Sequence, residues 1–460
     1  MKKELNPETG PKLRVFFHYA IPSVLGMVAI SSAEVIDGIF VGNFVGAEAL
    51  AAVNLTIPLV TLISGIIIML TVGGGVVAGK FLGEKNFAAA SDTFTKTCIG
   101  IGLFCGLSMT AGLIFLDPLI SLLGANDVLS GMVREYLFIV LFFIPGFAFS
   151  FALAGFVKIA GRPRLSFLGM LAAAAFNIVL DALLVGVLGM GLRGAAYATS
   201  IAYTLSAFVL LPPFFLKNAR LRFVRPRGSW WPLVKAALNG FSEFINEISA
   251  GIVIFLFNLV MMRRFGAGGV AAFTIINYIL YFGLMISYGV GDALQPLLST
   301  NFGARKKDRI AAFMRLGLIT NGGVGVVMVA AILIFPDRMI GIFLPAGELH
   351  TINTARIFLS YFWPAMLVNG INIAFSSYFT SLHKAAHSAA IALLRSLVLP
   401  VVLVLGLSAF LGDVGIFIAI PLAEYATLCV ALLFFAGNRP GRVLGEGRRI
   451  KKTPLSRVYR

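Results

Sequence analysis

Val-Gly-Ala-Glu-Ala-Leu-Ala-Ala, residues 45–52, returns 220 residues later as Phe-Gly-Ala-Gly-Gly-Val-Ala-Ala, residues 265–272. At the same offset, Phe-Leu-Gly-Glu-Lys at 81–85 matches Asn-Phe-Gly-Ala-Arg at 301–305. Both matches flank one long apolar segment, and no gap is needed between them. Two similar halves in a bilayer predict two lobes around a site near the midplane, an architecture that many secondary transporters share.

The composition places the chain in a membrane. Of its 460 residues, 59% are hydrophobic and 12% charged, whereas a soluble protein carries roughly 25% charged residues. The mean hydropathy is +0.94. We therefore predict an all-α integral membrane protein with twelve transmembrane helices in two pseudo-symmetric six-helix lobes that form a V, each span being long enough to cross ~30 Å of hydrocarbon. The twelve apolar spans are roughly 14–40, 49–79, 94–116, 136–157, 166–190, 194–216, 234–261, 270–298, 310–335, 352–380, 386–411 and 414–436.

The predicted organisation has four parts. Residues 1–216 form the first lobe, 217–232 an inter-lobe loop, 233–438 the second lobe and 439–460 a basic tail. The boundary between the lobes is placed at this loop because it is the longest basic connection on the inside and carries Trp230 and Trp231 near its end, residues that favour the membrane interface.

The net charge of +17 is a topology signal rather than a nucleic-acid signal. With the N-terminus inside, 30 of the 37 Lys and Arg residues fall at or near inside segments. This asymmetry predicts cytoplasmic N- and C-termini and an even number of spans. The polar N-terminus has no early apolar stretch, which predicts no removable signal peptide. The tail is expected along anionic lipid headgroups through Arg448, Arg449, Lys451 and Lys452.

Two motifs are assigned to packing. Cys98, Cys105 and Cys429 lie inside spans, where small apolar packing is expected rather than disulfides or metal binding. Gly73-Gly74-Gly75 resembles the start of a phosphate loop but lacks the Lys-Ser/Thr that follows it, so close helix packing or bending is expected instead. The sequence therefore predicts that no nucleotide drives transport and that no cofactor is bound.

Ionisable residues inside spans are functional candidates because they are costly in lipid. Asp37 lies near the end of span 1, Asp181 near the end of span 5 and Thr199 near the start of span 6. At 1.5 Å per residue, all three sit roughly 7–12 Å below the outer surface. Asn177 precedes Asp181 by one turn and shares its helix face. One level of one lobe thus presents two carboxylates, an amide and a hydroxyl.

Such a set of oxygen-bearing groups can hold a proton, or coordinate Na⁺ with help from backbone carbonyls. Two close carboxylates cannot both stay ionised at low cost in a low dielectric, so one of them takes up a proton readily. A proton-coupled carrier needs that property. In the alternative interpretation, Asp37 and Asp181 are unrelated and each is satisfied by local hydrogen bonds.

Pro22 is the candidate hinge of span 1. It has no N–H to donate to the carbonyl of His18, so the helix can bend there. A bend that responds to protonation of Asp37 would couple the proton to conformation, whereas a static kink is the alternative. The residue 220 positions on is Ser242, so this feature is confined to the first half.

Further in-span charges are additional candidates. Glu34 either faces the same cavity as Asp37, one turn away, or pairs at the lobe interface. Glu243 and Glu247 serve a second-lobe site or an inner gate, and Asp292 is left open between function and structure. Glu424, Arg356 and Arg395 are the other in-span charges, and Arg395 is expected to balance an acidic residue.

The chain resembles a multidrug and toxic compound extrusion (MATE) transporter over nearly its whole length. The resemblance rests on the six-plus-six layout, Ala20-Ile21-Pro22 with Asp37, Asn177 with Asp181, Gly194-Ala195-Ala196 leading to Thr199, and 301–305. It is similar to the prokaryotic branch in which Asp37, Asn177, Asp181 and Thr199 would form the cation site of the N-lobe. The resemblance implies antiport of H⁺, or Na⁺, against organic cations, with bending of span 1 at Pro22. Members that use a C-lobe site carry a carboxylate in span 10, where this chain has Asn369 and Asn372.

The sequence therefore predicts a secondary multidrug antiporter, not an enzyme, in a bacterial or archaeal cytoplasmic membrane. Its expected partners are small-molecule drugs and the bilayer, with no nucleic acid, and a monomeric state is expected. A flippase for lipids or lipid-linked precursors is the alternative, but it should line its cavity with cations for phosphate. An integral-membrane enzyme is disfavoured because no Asp-x-x-Asp cluster or nucleophile–base pair stands out at the span ends.

Overall fold

A computed structural model describes residues 5–216, 219–342 and 349–450 of the protein, and every regular element in these ranges is helical. The first half contains seven α-helices, and a short 3₁₀ turn at Pro212–Phe215 ends it. These helices are α1 (Lys12–Phe40), α2 (Ala47–Gly83), α3 (Phe87–Ile114), α4 (Leu116–Leu122), α5 (Asp127–Ile159), α6 (Pro163–Asp181) and α7 (Gly191–Leu210).

The second half repeats this order of long helices. An extended segment leads into it, and the helix that closes the described chain follows the last span. The helices are α8 (Trp231–Asn239), α9 (Phe241–Gly303), α10 (Lys307–Ile334), α11 (Pro336–Gly341), α12 (Leu349–Phe362), α13 (Pro364–Ser381), α14 (Ala385–Leu393), α15 (Leu399–Leu411), α16 (Asp413–Gly437) and α17 (Pro440–Ile450).

Two features reconcile these helices with twelve spans. The 63-residue α9 contains one residue with non-helical geometry, Gly266 at φ 64° and ψ −156°, so it holds two spans that meet there. Helices α12 and α13 are bent by 54° across Trp363, because Pro364 begins α13 and has no N–H to continue the hydrogen bonding of α12. With these two features the long apolar helices are consistent with the twelve predicted spans.

Four helices end in the same turn, which shows the internal repeat in the backbone. After α2, α5, α9 and α13 the chain enters the left-handed region at Lys85, Gly161, Arg305 and His383. In each case the next residue's N–H bonds to a carbonyl five residues back, as Asn86 does to Phe81. This is the Schellman arrangement, which satisfies the last carbonyls of a helix. Lys85 and Arg305 are separated by the same 220 positions as the sequence repeat.

The halves cross closely where these turns lie. A Cβ added to Gly83 would be 1.9 Å from the carbonyl oxygen of Thr300, and one added to Gly303 would be 1.9 Å from that of Lys80. The two contacts are equivalent at the 220-residue offset. Helices α2 and α9 therefore touch backbone to backbone, which only glycine permits. The face of the molecule at this crossing, where Asn6–Gly10 also lie, is called the N-terminal face below.

Each half has its own apolar core, with one reciprocal exchange. The start of α1, through Val15, Phe16 and Tyr19, packs in a core made by α9, α10 and α13 of the second half. Conversely, Ala236 of α8 packs closely on Gly73 of α2. A Cβ added to Gly73 would be 1.9 Å from the Ala236 carbonyl oxygen. The first turns of each half thus pack against the other half.

The outward surface suits lipid, since many large apolar side chains are exposed on it, for example Leu107 and Phe410. Cys98 and Cys105 are buried as expected, but Cys429 is exposed, which corrects its assignment to internal packing. The predicted lipid contact of the basic tail concerns residues 448–452, whose side chains lie outside the described part of the chain.

Candidate functional site

A central cavity of about 750 Å³ lies between the two halves. Side chains from α1, α2, α5, α6 and α7 line one wall, and side chains from α9, α13 and α14 line the other. Its walls are mostly apolar and aromatic, with a few polar groups among them, as is typical of sites for small molecules. The polar groups include five carboxylates and one guanidinium, at Glu34, Asp37, Glu243, Glu247, Asp292 and Arg395.

Three of the four predicted cation-site residues form a hydrogen-bonded chain on the first-half wall. The Thr199 hydroxyl donates to Asp37 Oδ1 at 3.4 Å and accepts from Asn177 Nδ2 at 3.1 Å. Asp37 comes from α1, Asn177 from α6 and Thr199 from α7. All three side chains line the cavity. The structure therefore brings together residues that lie as far as 162 positions apart in the chain.

Asp181, the fourth predicted residue, lies deeper than the other three. Its side chain is completely buried, and neither carboxylate oxygen has a hydrogen-bond partner of normal geometry among the described groups. The carboxylate of Asp37 is close enough to act on it electrostatically. A buried carboxyl group without a partner is costly when ionised. Binding of a proton or another small cation would lower this cost.

Two π-helical segments adjoin this pair. Val41–Val45 follows α1 four residues after Asp37, and Ala182–Val187 follows Asp181 directly. A π turn shifts the backbone hydrogen bonds by one residue, and such turns occur frequently at functional sites. These segments could not be predicted from the sequence, because an apolar run has the same pattern in α-helical and π-helical geometry.

Glu34 and Glu247 join the halves at the cavity wall. The Tyr281 hydroxyl of the second half donates to Glu34 Oε2 at 3.1 Å. The Ser64 hydroxyl of the first half donates to Glu247 Oε1 at 3.4 Å. Glu34 thus both faces the cavity and pairs at the interface, so the two interpretations of its sequence position hold together.

The second half holds a separate buried polar centre around Glu424. Its side-chain oxygens accept hydrogen bonds from Asn369 Nδ2 at 2.5 Å and Asn372 Nδ2 at 2.7 Å. Arg395 Nε lies 3.9 Å from Glu424 Oε1, and Arg395 Nη2 donates to the Tyr288 hydroxyl at 2.9 Å. A carboxylate here already has a guanidinium and two amides as partners. This centre therefore differs from the Asp37–Asp181 pair, which has no cationic side chain paired with it in the described part of the chain.

Glu243 lies between these regions. Its Oε2 accepts a hydrogen bond from Asn246 Nδ2 at 3.5 Å, and Asn246 Oδ1 accepts one from the Ser396 hydroxyl at 3.0 Å. Glu243 and Asn246 both line the cavity. The geometry places Glu243 on the second-half wall rather than beside Asp37.

Asp292 has a partner that the sequence analysis missed. Lys158 Nζ of α5 donates to its Oδ2, and the two form an ion pair between the halves. Lys158 was assigned to an inside loop because span 4 was expected to end at residue 157, whereas α5 continues to Ile159 and buries the side chain. Arg356, in contrast, was placed inside a span but is half exposed and pairs with Asp337.

Helix α1 runs unbroken from Lys12 to Phe40 through Pro22. The bend at Pro22 stays a prediction. In the described ranges no group of three or more His, Cys, Asp and Glu side chains gathers in a way that could hold a metal ion.

Comparison with known proteins gives a consistent family. The sequence matches the profile of the family described as MatE over residues 22–183 and 247–405. The curated relatives include the multidrug export protein MepA of Staphylococcus aureus (strain bovine RF122 / ET3-1), which is 23% identical, with 93% of this chain and 94% of that protein aligned. MepA of Staphylococcus saprophyticus is 25% identical over the same shares.

Solved structures show the same fold. A multidrug resistance MATE family transporter of the MOP superfamily in an outward-facing conformation matches with a TM-score of 0.89 at 21% identity, covering 96% of this chain and 99% of that one. A MOP superfamily transporter from Pyrococcus furiosus, whose binding pocket is described as having reverse polarity, matches with a TM-score of 0.86 at 21% identity, covering 94% and 97%.

Proposed function

Because the chain belongs to the MatE family of multidrug and toxic compound extrusion transporters, we propose that it exports organic cations and other amphipathic drugs in exchange for H⁺ or Na⁺. The observation that supports coupling of transport to an ion gradient is the pair of Asp37 and Asp181. Asp181 is buried, its carboxylate has no hydrogen-bond partner of normal geometry among the described groups, and it lies next to a second carboxylate that faces the cavity. Such a pair changes its charge readily, and so it can link an ion gradient to a conformational change.

The polarity of the cavity supports cationic cargo. Five carboxylates line it against one guanidinium, and Arg395 is already engaged with Tyr288 and Glu424. An anionic lipid phosphate would meet mainly negative groups in this space. This observation favours drug export over the flippase alternative. The residues that line the cavity bind and orient cargo, and we propose no covalent chemistry.

The contacts between the halves, together with the basic residues, also support an orientation in the membrane and an outward-facing conformation. Hydrogen bonds and close glycine contacts between the halves lie from the Glu34–Tyr281 level towards the N-terminal face. On the other side, a Cβ added to Gly38 or Gly251 would meet nothing within 4 Å. With the N-terminus in the cytoplasm, as the basic residues predict, this conformation faces outward in the cytoplasmic membrane.

A transport cycle follows from this arrangement. Ions from outside reach Asp37 and then Asp181, and neutralising the pair changes its contacts with Thr199 and Asn177. Helix α1 bends at Pro22, the first-half wall contracts and cargo leaves outward. The halves then rock, and the ion is released inside. The π-helical segments beside both aspartates supply backbone that rearranges at little cost.

The test is efflux of a cationic dye from proteoliposomes, first with a pH gradient in Na⁺-free buffer and then with a Na⁺ gradient at constant pH. We expect gradient-driven efflux in the wild type and a loss of at least roughly tenfold in Asp37→Asn and Asp181→Asn. Asp127→Asn is the matched control, because Asp127 is exposed at the start of α5 and should transport normally.

The gradient that drives efflux identifies the ion. Equal gradient-driven efflux in the wild type and Asp37→Asn would exclude this aspartate from coupling and direct attention to Glu243. No efflux of any cation in folded wild-type protein, together with flipping of a labelled anionic lipid, would refute drug export.

A further inference from the structure

An ion pair between Lys158 and Asp292 joins the two halves beneath the cavity. Lys158 lies one residue before the end of α5 in the first half, and Asp292 lies in the second arm of α9. Lys158 Nζ donates to Asp292 Oδ2. The two side chains are 6% and 24% exposed, so the pair is largely withdrawn from solvent. It differs from Arg193–Glu135, an exposed pair within the first half.

The position of the pair along α9 fits a gate. Asp292 lies eleven residues beyond Tyr281, the partner of Glu34 at the cavity wall, and eleven residues before Gly303, where α9 crosses α2. Eleven helical residues span roughly 16 Å. Asp292 itself lines the cavity. The ion pair is therefore the charged layer between the cavity and the helix crossing at the N-terminal face.

The pair cannot survive separation of the halves on this side. While the halves are closed, this pair lies in a poorly hydrated layer, where the attraction between its charges is stronger than it would be in water. The neighbouring contacts between α2 and α9 are made by backbone and small side chains such as Ser299 against Gly79, and they carry no net charge. The charge pair thus adds a directional contact between α5 and α9 beside these uncharged contacts.

The repeat has no equivalent pair in the other half. Asp292 corresponds to Val72 at the 220-residue offset, and Lys158 corresponds to Thr380 when the Gly161 and His383 turns are aligned. Because the repeat places this charge pair on one side of the cavity and not at the equivalent position, the pair stabilises one of the two conformations over the other. We infer that Lys158 and Asp292 form the latch of the inner gate, closed while they are paired and broken when the cavity opens towards the N-terminal face.

This inference rests on the proposed function, because a gate matters only to a protein that alternates between two openings. It is nevertheless tested without transport. Spin labels on Ala88→Cys and Asp308→Cys would report the separation of the halves, since both residues are exposed at the N-terminal face in the first turns of α3 and α10. They are equivalent at the 220-residue offset. Cys429→Ala removes the one exposed native cysteine.

The distance distribution is measured in lipid nanodiscs by pulsed electron spin resonance. We expect the wild type to give mainly the short distance. Lys158→Met and Asp292→Asn should each raise the ratio of open to closed molecules, by roughly tenfold. The charge-reversed double variant, Lys158→Asp with Asp292→Lys, should return the distribution towards that of the wild type. Arg193→Gln, which breaks an ion pair within one half, should leave it unchanged.

The outcomes separate the latch from the proposed function. Wild-type distances in both single variants would overturn the latch, and so would a charge-reversed variant as open as the single ones. If Lys158→Met fails to fold, Asp292→Asn carries the test, because it preserves the side-chain shape. A wild type that transports no cation but shows the expected distances would refute the proposed function and leave the latch standing.

Discussion

Replacing Arg395 by Met should destabilise the second half, because it leaves the Glu424 centre without its internal cation. Arg395 Nε is 3.9 Å from Glu424 Oε1, and the side chains are only 8% and 5% exposed. Two unit charges at this separation interact by about 4 kcal/mol at an effective dielectric constant of 20. The two asparagine amides that also bond to Glu424 remain, so they offset part of the loss.

We expect Arg395→Met to lower the free energy of unfolding by about 3 kcal/mol, the lower end of what breaking a buried pair costs. Glu424→Gln alone should also destabilise, since it leaves the guanidinium unpaired. The double variant should regain much of the loss, because neither charge is then left alone. Equilibrium unfolding in mixed detergent micelles measures all three differences and yields the coupling energy of the cycle.

The matched control is Arg356→Met. Arg356 bonds to Asp337 through Nε at 2.9 Å and Nη2 at 2.7 Å, but the two side chains are 51% and 66% exposed. Water screens such a pair, so its loss should cost at most about 1 kcal/mol. The reasoning would be refuted if Arg395→Met unfolded within about 0.5 kcal/mol of the wild type, or if the double variant were no more stable than the single ones.

Two further predictions concern the N-terminal face. Gly83→Ala should cost about 1–3 kcal/mol of unfolding free energy, because its Cβ would meet the Thr300 carbonyl oxygen at 1.9 Å, whereas Gly106→Ala, with nothing within 4 Å, should not destabilise. Burial, and then the charge of Lys80, lowers the pKa of His383, in the turn after α13, from 6.5 to about 3. The unfolded chain then binds a proton that the folded chain does not, so stability falls as pH drops from 6.5 towards 3. Since His383 is partly exposed, about 1 kcal/mol should be lost between pH 7 and 5.5, and His383→Gln should abolish this slope in the same unfolding assay.

Much of the first-half site followed from simple geometry. Asp37, Asp181 and Thr199 were placed at one level because each lies a known number of residues from a loop, and the rise per residue of a helix is fixed. Asn177 was added because it lies one turn before Asp181. The structure joins Asp37, Asn177 and Thr199 by hydrogen bonds. The role of Asp181 stays a prediction, since its neighbours are present but its ion is not identified.

Other features could be identified only from the folded structure. Lys158 looked like a loop residue because apolar composition locates a helix end only to within a few positions, and its partner Asp292 is 134 positions away. The packing of Tyr19 into the second half could not be read from a sequence in which every span is apolar on all sides. When no polar face distinguishes lipid from protein, hydrophobic periodicity does not predict which helix a span contacts.

The two halves show how one scaffold supports different chemistry. In the first half, Asp37 and Asp181 face each other with no cation among the described groups, and π-helical backbone adjoins both. In the second half, a π-helical segment, Leu394–Val398, carries Arg395 into the polar centre, where it balances Glu424. The Arg395 guanidinium lies beside the Glu424 carboxylate, in a position where an exchangeable ion would otherwise bind. Coupling of transport to an ion at Glu424 would require Arg395 to leave this carboxylate. The asymmetry of charge, rather than of fold, thus supports the proposal that ions exchange in the first half.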